Sequence, residues 1–477
     1  MKTFKSLLLI VSVLTLLVSC GDDFTVLAPQ SERNVENFYQ TDTDFITGIN
    51  GAYAGLAGNN AYGRAYALAF EMRSDNFANG GGATGLAESL LRINHFTELT
   101  TAPEVEDTWA GGYEIIARAN TILSRLEGAS LDNPALGQRI RGEALFIRSL
   151  VYYNLAVIFG NIAIQLDEVT TPNVDINQVS ADVIYDQIAG DLAEAEGLLP
   201  DSYGGADIGR ATSGAAATLL GLVQLTNGNN GEAEAALRRV VNSGQYVLLP
   251  NYADLWGAEN ENNDESIFEI QYKAGGQGTG SSFTEYFSPD FSVSGGVGGG
   301  NAPQTLSDDA LAAFEEEDER YFGGSFGYTT PDDPEDEGNE YLSKYDGVQF
   351  DAFDADNNFI VFRYADVLLM LAEALGDTPE ANALINQVRA RAGLTTPVES
   401  LPGSFEEKLL LERRREFVGE NKRWPDLKRF GVAQPVLAEQ LNEDENLSYT
   451  ADDIRLLYPI PQREIDSAPG ELEQNPL

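Results

Sequence analysis

The chain is poor in the side chains on which many enzymes depend: it has one histidine and one cysteine in 477 residues. A single histidine, His95, excludes a His-based metal cluster and leaves little room for a nucleophile–imidazole relay. A single cysteine, Cys20, excludes any internal disulfide, so pairing says nothing about the redox compartment. Positive charge is scarce as well: 30 Lys and Arg face 75 Asp and Glu, a net charge of −45. So negative a surface repels phosphate backbones and anionic bilayers, which excludes nucleic acid as a partner, and a polyanionic ligand would need a local basic pocket. We read the excess as a hydrated surface suited to salty surroundings, which predicts a melting temperature that rises with added salt. No phosphate-cradling G-x-x-x-x-G-K-[ST] is present, and the glycines at 295–300 run into Asn301-Ala302-Pro303 rather than a helix start. Asp354, Asp356 and Asn358 imitate the opening of a calcium loop, but Phe359 stands where that loop needs Gly and Ala365 where it needs Glu. The expectation is a protein with no catalytic residues, metal or cofactor. A surface glycoside hydrolase stays as an alternative, because any fold of so acidic a chain brings some carboxylates together; it would need two in a deep cleft with one pKa raised.

What is present begins at the N-terminus. Lys2 and Lys5 precede an apolar run from Leu7 to Val18, too short to span a bilayer and of the length of a signal-peptide core. Leu17-Val18-Ser19-Cys20 matches a bacterial lipobox. After a tether to about Arg33, Phe45, Ile49, Tyr53 and Leu56 recur at helical spacing behind the N-cap candidates Thr41 to Asp44. Trp109, Tyr113, Ile116, Asn120 and Leu123 mark a second helix, with Asn120 a satisfied buried amide in its apolar stripe. Leu136 to Gly160 and the segment between Ser180 and Pro200 form a third helix and its antiparallel mate. A further pair follows, with Gly214, Ala215, Ala216, Ala217 and Gly221 at its crossing. Helix, short turn and helix with small residues at the contact is the logic of tetratricopeptide repeats, although the period here is not fixed.

Between Gln245 and Tyr345 the character changes. YVLLPNYADLWG and ESIFEIQYK read as short extended segments. A glycine-rich stretch then carries Phe283, Tyr286, Phe287 and Phe291. Rings on such a loop either stack on the apolar face of a sugar or pin the loop to the helices. The acidic run PDDPEDEGNE reads as a solvated loop. From Phe359 to Gly431 the chain reads as three helices with polar joins, the first from about Phe362 to Leu375 and apolar nearly all round. Its charges Arg363, Asp366 and Glu373 need partners if buried, and Arg389, Arg391, Glu412, Arg413, Arg415 and Glu416 supply them, fixing register rather than carrying chemistry.

Taken in order, RYADVLLMLAEA, NQVRARAGL, ERRREF, RWPDLKRFG and LYPIPQREI with the closing QNPL resemble the C-terminal signature of the SusD/RagB family. Arg73-Ser74-Asp75-Asn76 resembles a further family motif, whereas Ala163 stands where the family more often has Pro. The resemblance implies a mainly α, SusD-like fold of about four tetratricopeptide-type helix pairs with a loop-rich, ligand-binding second lobe. It implies a lipoprotein signal peptide over 1–19, cleavage before Cys20 and acylation of that cysteine, a lipidated tether over 20–33, and one globular unit over 34–477. Within that unit, 34–244 and 359–431 would form the scaffold, and 245–358 with 432–477 the lobe. Gly21-Asp22-Asp23 looks like the tag that sends such lipoproteins to the outer face of the outer membrane. Members of the family capture a nutrient, most often an oligosaccharide and less often a peptide, for a SusC-like TonB-dependent transporter. The ligand residues vary within the family, so Asn76, Phe77, Phe283, Tyr286, Phe287 and Phe291 are expected at the site from loop position and ring chemistry alone. A tetratricopeptide scaffold binding only proteins is the remaining alternative.

Overall fold

In a computed structural model, the described residues are 38–79, 86–171, 176–287, 304–328, 340–347, 349–445 and 447–477. Cys20, Phe291 and most of the acidic run at 331–340 lie outside them.

Eight helices build the scaffold: α1 (Asp42–Ala57), α2 (Pro103–Glu127), α3 (Pro134–Phe159), α4 (Ala181–Leu198), α5 (Ser213–Thr226), α6 (Asn230–Ser243), α7 (Tyr364–Leu375) and α8 (Pro379–Arg391). Their ends follow local chemistry. Thr41 and Asp44 close a capping box on α1, and Asn133, Thr212 and Thr378 accept backbone N–H groups at the starts of α3, α5 and α8. Pro103, Pro134 and Pro379 sit where a missing N–H costs nothing. Ser180 holds the cap position of α4 but its side chain makes no capping bond. Leu199 is extended ahead of Pro200, and that stops the helix.

The helices stack in sequence, α1 on α2, α2 on α3 and onward through α4, α5 and α6 to α7 and α8. They make four antiparallel pairs, so the mainly α reading holds. Small residues set the close crossings: a Cβ at Gly221 would lie 2.6 Å from Leu237, which fixes how near α5 comes to α6. α3 is long and apolar enough to cross a membrane, yet its apolar window is wholly buried inside the fold, as a core helix is.

The Phe359–Gly431 stretch differs from the expectation at its start. Phe359–Arg363 is a strand, paired antiparallel with Ser266–Ile270, so α7 begins at Tyr364 and Arg363 is its N-cap. Two more helices follow, α9 (Phe405–Phe417) and α10 (Arg423–Arg429). YVLLPNYADLWG forms no strand; its ordered part is a single 3-10 turn, Tyr252–Leu255.

Ion pairs buried within this frame join segments of the second half of the chain, from Glu265 to Arg429. Arg363 donates to Glu265, Glu416 and Glu420; Arg391 to Glu265 and Glu416; Arg320 to Asp318, Glu412 and Glu416; Arg389 to Glu412; and Lys344 to Glu420. All ten side chains are buried, with five cations balancing five carboxylates, so this set carries no net charge. A second set joins Arg413 to Asp366 and Asp426, and Arg429 to Glu373. Arg363–Glu416 and Asp366–Arg413 are pairs that the sequence suggested. Arg415 turns instead to Glu315 at 2.6 Å. Asn120 is fully buried, donating to Gln165 O at 2.9 Å and accepting from Arg148 at 2.9 Å, the satisfied amide expected.

Candidate functional site

Arg73-Ser74-Asp75-Asn76 is an internal clasp. Asp75 takes two bonds of 2.7 Å from Arg423, and Asn76 Oδ1 accepts from Arg414 at 2.8 Å. Arg73 lies over the rings of Phe96, Trp424 and Tyr458 at 4.7–5.0 Å. The motif thus locks the N-terminal helices onto α9 and α10, and Asn76 is fully buried within it.

The aromatic residues expected at the site also lie inside, with one exception. Phe283 and Phe287 belong to a short helix, Phe283–Phe287, whose inward face meets Tyr345, Phe359 and Phe77. Phe283 stacks on Phe359 at 4.9 Å and meets Tyr345 at a tilt at 5.0 Å, and Phe287 stacks on Tyr345 at 5.5 Å. Phe77 meets Phe287 at 5.4 Å. With exposures of 0–2%, Phe77, Phe283 and Phe287 present no ring face to a sugar: of the two roles open to these rings, the structure selects pinning. The physical reason is that a ring gains more by burial against other rings than by waiting in water for a ligand. Tyr286, half-buried on the opposite side of the same turn, is the exception.

Tyr286 leads to residues that sequence reasoning missed. Its ring lies 6.0 Å from Phe353, which is 42% exposed, and Phe350 on the same hairpin is 64% exposed. The hairpin pairs Gln349–Asp351 with Asp354–Ala355, and Phe353 sits at its tip with φ of +59°. Positive φ is unfavourable for so bulky a residue, and is held here by the surroundings. Asp354 Oδ2 accepts the N–H groups of Gly275 and Gly276 at 3.1 and 2.6 Å, and Asp356 accepts that of Ala274 at 2.8 Å. Ser281 and Ala355 exchange backbone bonds of 2.8 and 3.0 Å. Gly276, itself at φ +71°, passes under Phe350 so closely that a Cβ there would lie 3.2 Å from the ring. Two outward aromatic rings edged by a third thus stand on a pinned double loop, here called the ledge. The signal in the sequence was FDAFD, two phenylalanines in an acidic turn with no apolar periodicity to bury them.

The calcium-like residues serve this scaffold. Asp354 and Asp356 hold the loops, while Asn358 accepts from Tyr272 N at 2.7 Å and donates to Glu269 at 2.9 Å. Lys273 pairs with Asp356 at 2.9 Å, and that bond, with the one from Ala274 N–H, lowers the Asp356 pKa. Burial pushes the Glu261 carboxyl up to about 7, against the N–H of Asn358, and Asp346 up to about 6, against the Tyr341 hydroxyl. Among the described residues no group of three or more His, Cys, Asp or Glu side chains is placed to hold a metal ion. A cavity of about 330 Å³ opens behind the double loop, lined by Tyr53, Arg210 and Gln271, among others. Arg210 there is engaged with Asp207, Glu143 and Asn50, and Gln271 with Asn262 and Asn358, while the buried hydroxyl of Tyr272, also in the lining, has no partner among the described residues.

Antiparallel helix pairs carrying a loop-rich face define a helical-repeat protein with an added lobe. Residues 314–477 match the SusD family, and residues 29–225 match a family described as starch-binding and associating with the outer membrane. The chain belongs to the SusD family. Among its relatives, SusD-like protein P25 of Formosa agariphila is 25% identical over 518 aligned positions, covering 96% of this chain and 95% of that one. The solved structure of surface glycan-binding protein A from Bacteroides fluxus superposes with a TM-score of 0.80 at 26% identity, over 92% of this chain and 99% of that one. A laminarin-binding SusD-like protein does so with a TM-score of 0.76 at 27% identity, over 92% of this chain and all of the other.

Proposed function

We propose that this protein binds an oligosaccharide at the ledge formed by Phe350, Phe353 and Tyr286, without breaking it, and hands it to a SusC-like TonB-dependent transporter in the outer membrane. The observation that carries the reading is the pair of exposed phenylalanine rings held on a rigid double loop. A ring face in water is poorly satisfied, and the C–H face of a pyranose covers it while hydroxyl groups at the sugar's edge reach polar loop atoms. Gln277 and Asp351, both exposed beside the rings, offer such atoms. In this reading Phe77, Phe283 and Phe287 position the ledge from below. Two of the solved relatives are described by their glycan ligands, which favours a sugar over a peptide. The signal segment, acylated Cys20 and the tether to Arg33 would hold the protein at the cell surface, where polymer fragments arrive.

The test is titration of the purified protein with a panel of oligosaccharides, product release being followed in the same samples. Retention of one glycan class without turnover is expected. Phe350→Ala with Phe353→Ala should weaken it at least about tenfold, as aromatic stacking contributes on the order of 1 kcal/mol or more per ring. Unchanged affinity in the double variant would remove the ledge as the site, and release of new reducing ends would make the protein a hydrolase.

A further inference from the structure

We infer that the ledge takes an uncharged saccharide and turns away chains bearing carboxylate or sulfate groups. The inference rests on the reading of the ledge as a glycan site and adds the chemical class of the glycan. It is carried by the charges that stand around the two rings. Asp351, between Phe350 and Phe353 on the hairpin, is exposed and accepts one bond, from the adjacent Ala352 N–H at 2.8 Å. Asp354 and Asp356 follow at the foot of the same hairpin.

Two cations approach this surface, and each is already answered by an acid. Lys273 pairs with Asp356 at 2.9 Å, and Arg64, near Tyr286, lies 3.6 Å from Glu104. An anionic sugar is held by guanidinium groups aimed at its carboxylate or sulfate oxygens, in the forked geometry that arginine provides. Here six arginines are turned inward. Arg320, Arg363, Arg389, Arg391, Arg413 and Arg423 are all buried on carboxylates. What remains on the outside is a field set by a net charge of −45, which repels a polyanion before contact. A neutral sugar feels none of this repulsion, and its stacking on Phe350 and Phe353 needs no counter-charge.

The experiment uses the full-length protein in detergent at low salt. Neutral hexasaccharides of gluco, xylo and manno configuration are compared by calorimetry with oligouronates and sulfated galactans of equal length, on the native chain, on the Phe350→Ala/Phe353→Ala variant and on Asp351→Lys. Binding of a neutral hexamer that depends on the two rings is expected, with every charged oligomer at least about tenfold weaker and the gap narrowing as salt is added. Asp351→Lys should narrow the gap, raising the affinity for the charged oligomers relative to that for the neutral one. A charged oligomer that binds as well as or better than the neutral ones, and is lost in the double variant, overturns the inference while the glycan reading stands. If no saccharide binds, or if binding ignores the two rings, the reading of the ledge itself falls and the inference with it.

Discussion

Glu416→Gln tests whether the buried network is a mutually dependent set of charges. The Glu416 carboxylate is fully buried and accepts from three guanidinium groups, of Arg320 at 2.9 Å, Arg363 and Arg391. Burial alone would raise its pKa, but Arg391, Arg363 and Arg320 outweigh that and hold the carboxyl well below its usual range. Glutamine keeps the shape but leaves five cations facing four carboxylates, and turns an N–H toward donors that can only repel it. Removing one partner of a buried pair costs about 3–5 kcal/mol. Unfolding entropy near 2.1 cal/mol/K per residue gives roughly 0.9 kcal/mol/K for the chain from residue 38 onward. The melting temperature at pH 7 should therefore fall by about 3–5 °C. The sign with pH follows from the depressed pKa. The Glu416 contribution is complete above its unfolded value, near 4.5, and is lost as pH falls toward the lower folded value. The gap between wild type and variant should close on acidification below about pH 4.5. Thermal melts by circular dichroism from pH 3 to 8 measure this, with Glu380→Gln, which breaks the exposed pair with Arg238, as a control that should not move. A Glu416→Gln melt within a degree of wild type at pH 7 would refute the account of the network.

Glu71 offers the opposite sign. Burial raises its carboxyl to about 8 against the N–H of Asn421, so its contribution is whole below pH 4.5 and is lost as pH rises to 8; Glu71→Gln should gain on wild type progressively between about pH 5 and 8 and level off above, and a constant difference across that range would count against it. Asn120→Leu leaves Arg148 Nη1 without one of its acceptors in the interior, and should lower stability by about 1–3 kcal/mol in a denaturant titration. Gly276→Ala both strains a left-handed position and crowds the Phe350 ring, so glycan affinity should drop several-fold while the melting temperature falls little, a separation read by calorimetry alongside the melt.

Much of the scaffold was legible. Apolar side chains at helical spacing, Thr41 before Asp44, and Pro200 ahead of a break are local signals, and the helices begin and end close to where they indicate. One acidic partner each of Arg363 and Arg413, Glu416 and Asp366, was among those the sequence suggested, because a buried charge has few ways to be satisfied, whereas Glu265, Glu420 and Asp426 were not. The start of α7 was not. FIVFR has the same apolar density in a strand as in a helix, and pairing with Ser266–Ile270, some ninety positions earlier, decided the matter.

The site divided differently. Phe283 and Phe287 on a glycine-rich stretch could face either way, and sequence offers no means to tell a ring that closes a core from one that greets a ligand. Their fate depends on Tyr345 and Phe359, which meet them only in the folded chain. The same packing leaves Phe350 and Phe353 outside, on a two-stranded hairpin that no other strand covers among the described residues. What the sequence determined by itself was the helical periodicity, the anionic surface, the ordered family motifs and the demand that buried charges be paired, all properties of neighbouring residues or of totals. The tertiary structure alone decided which carboxylate answers which arginine, which rings are core and which remain in water, because these depend on contacts between segments that are distant in the chain.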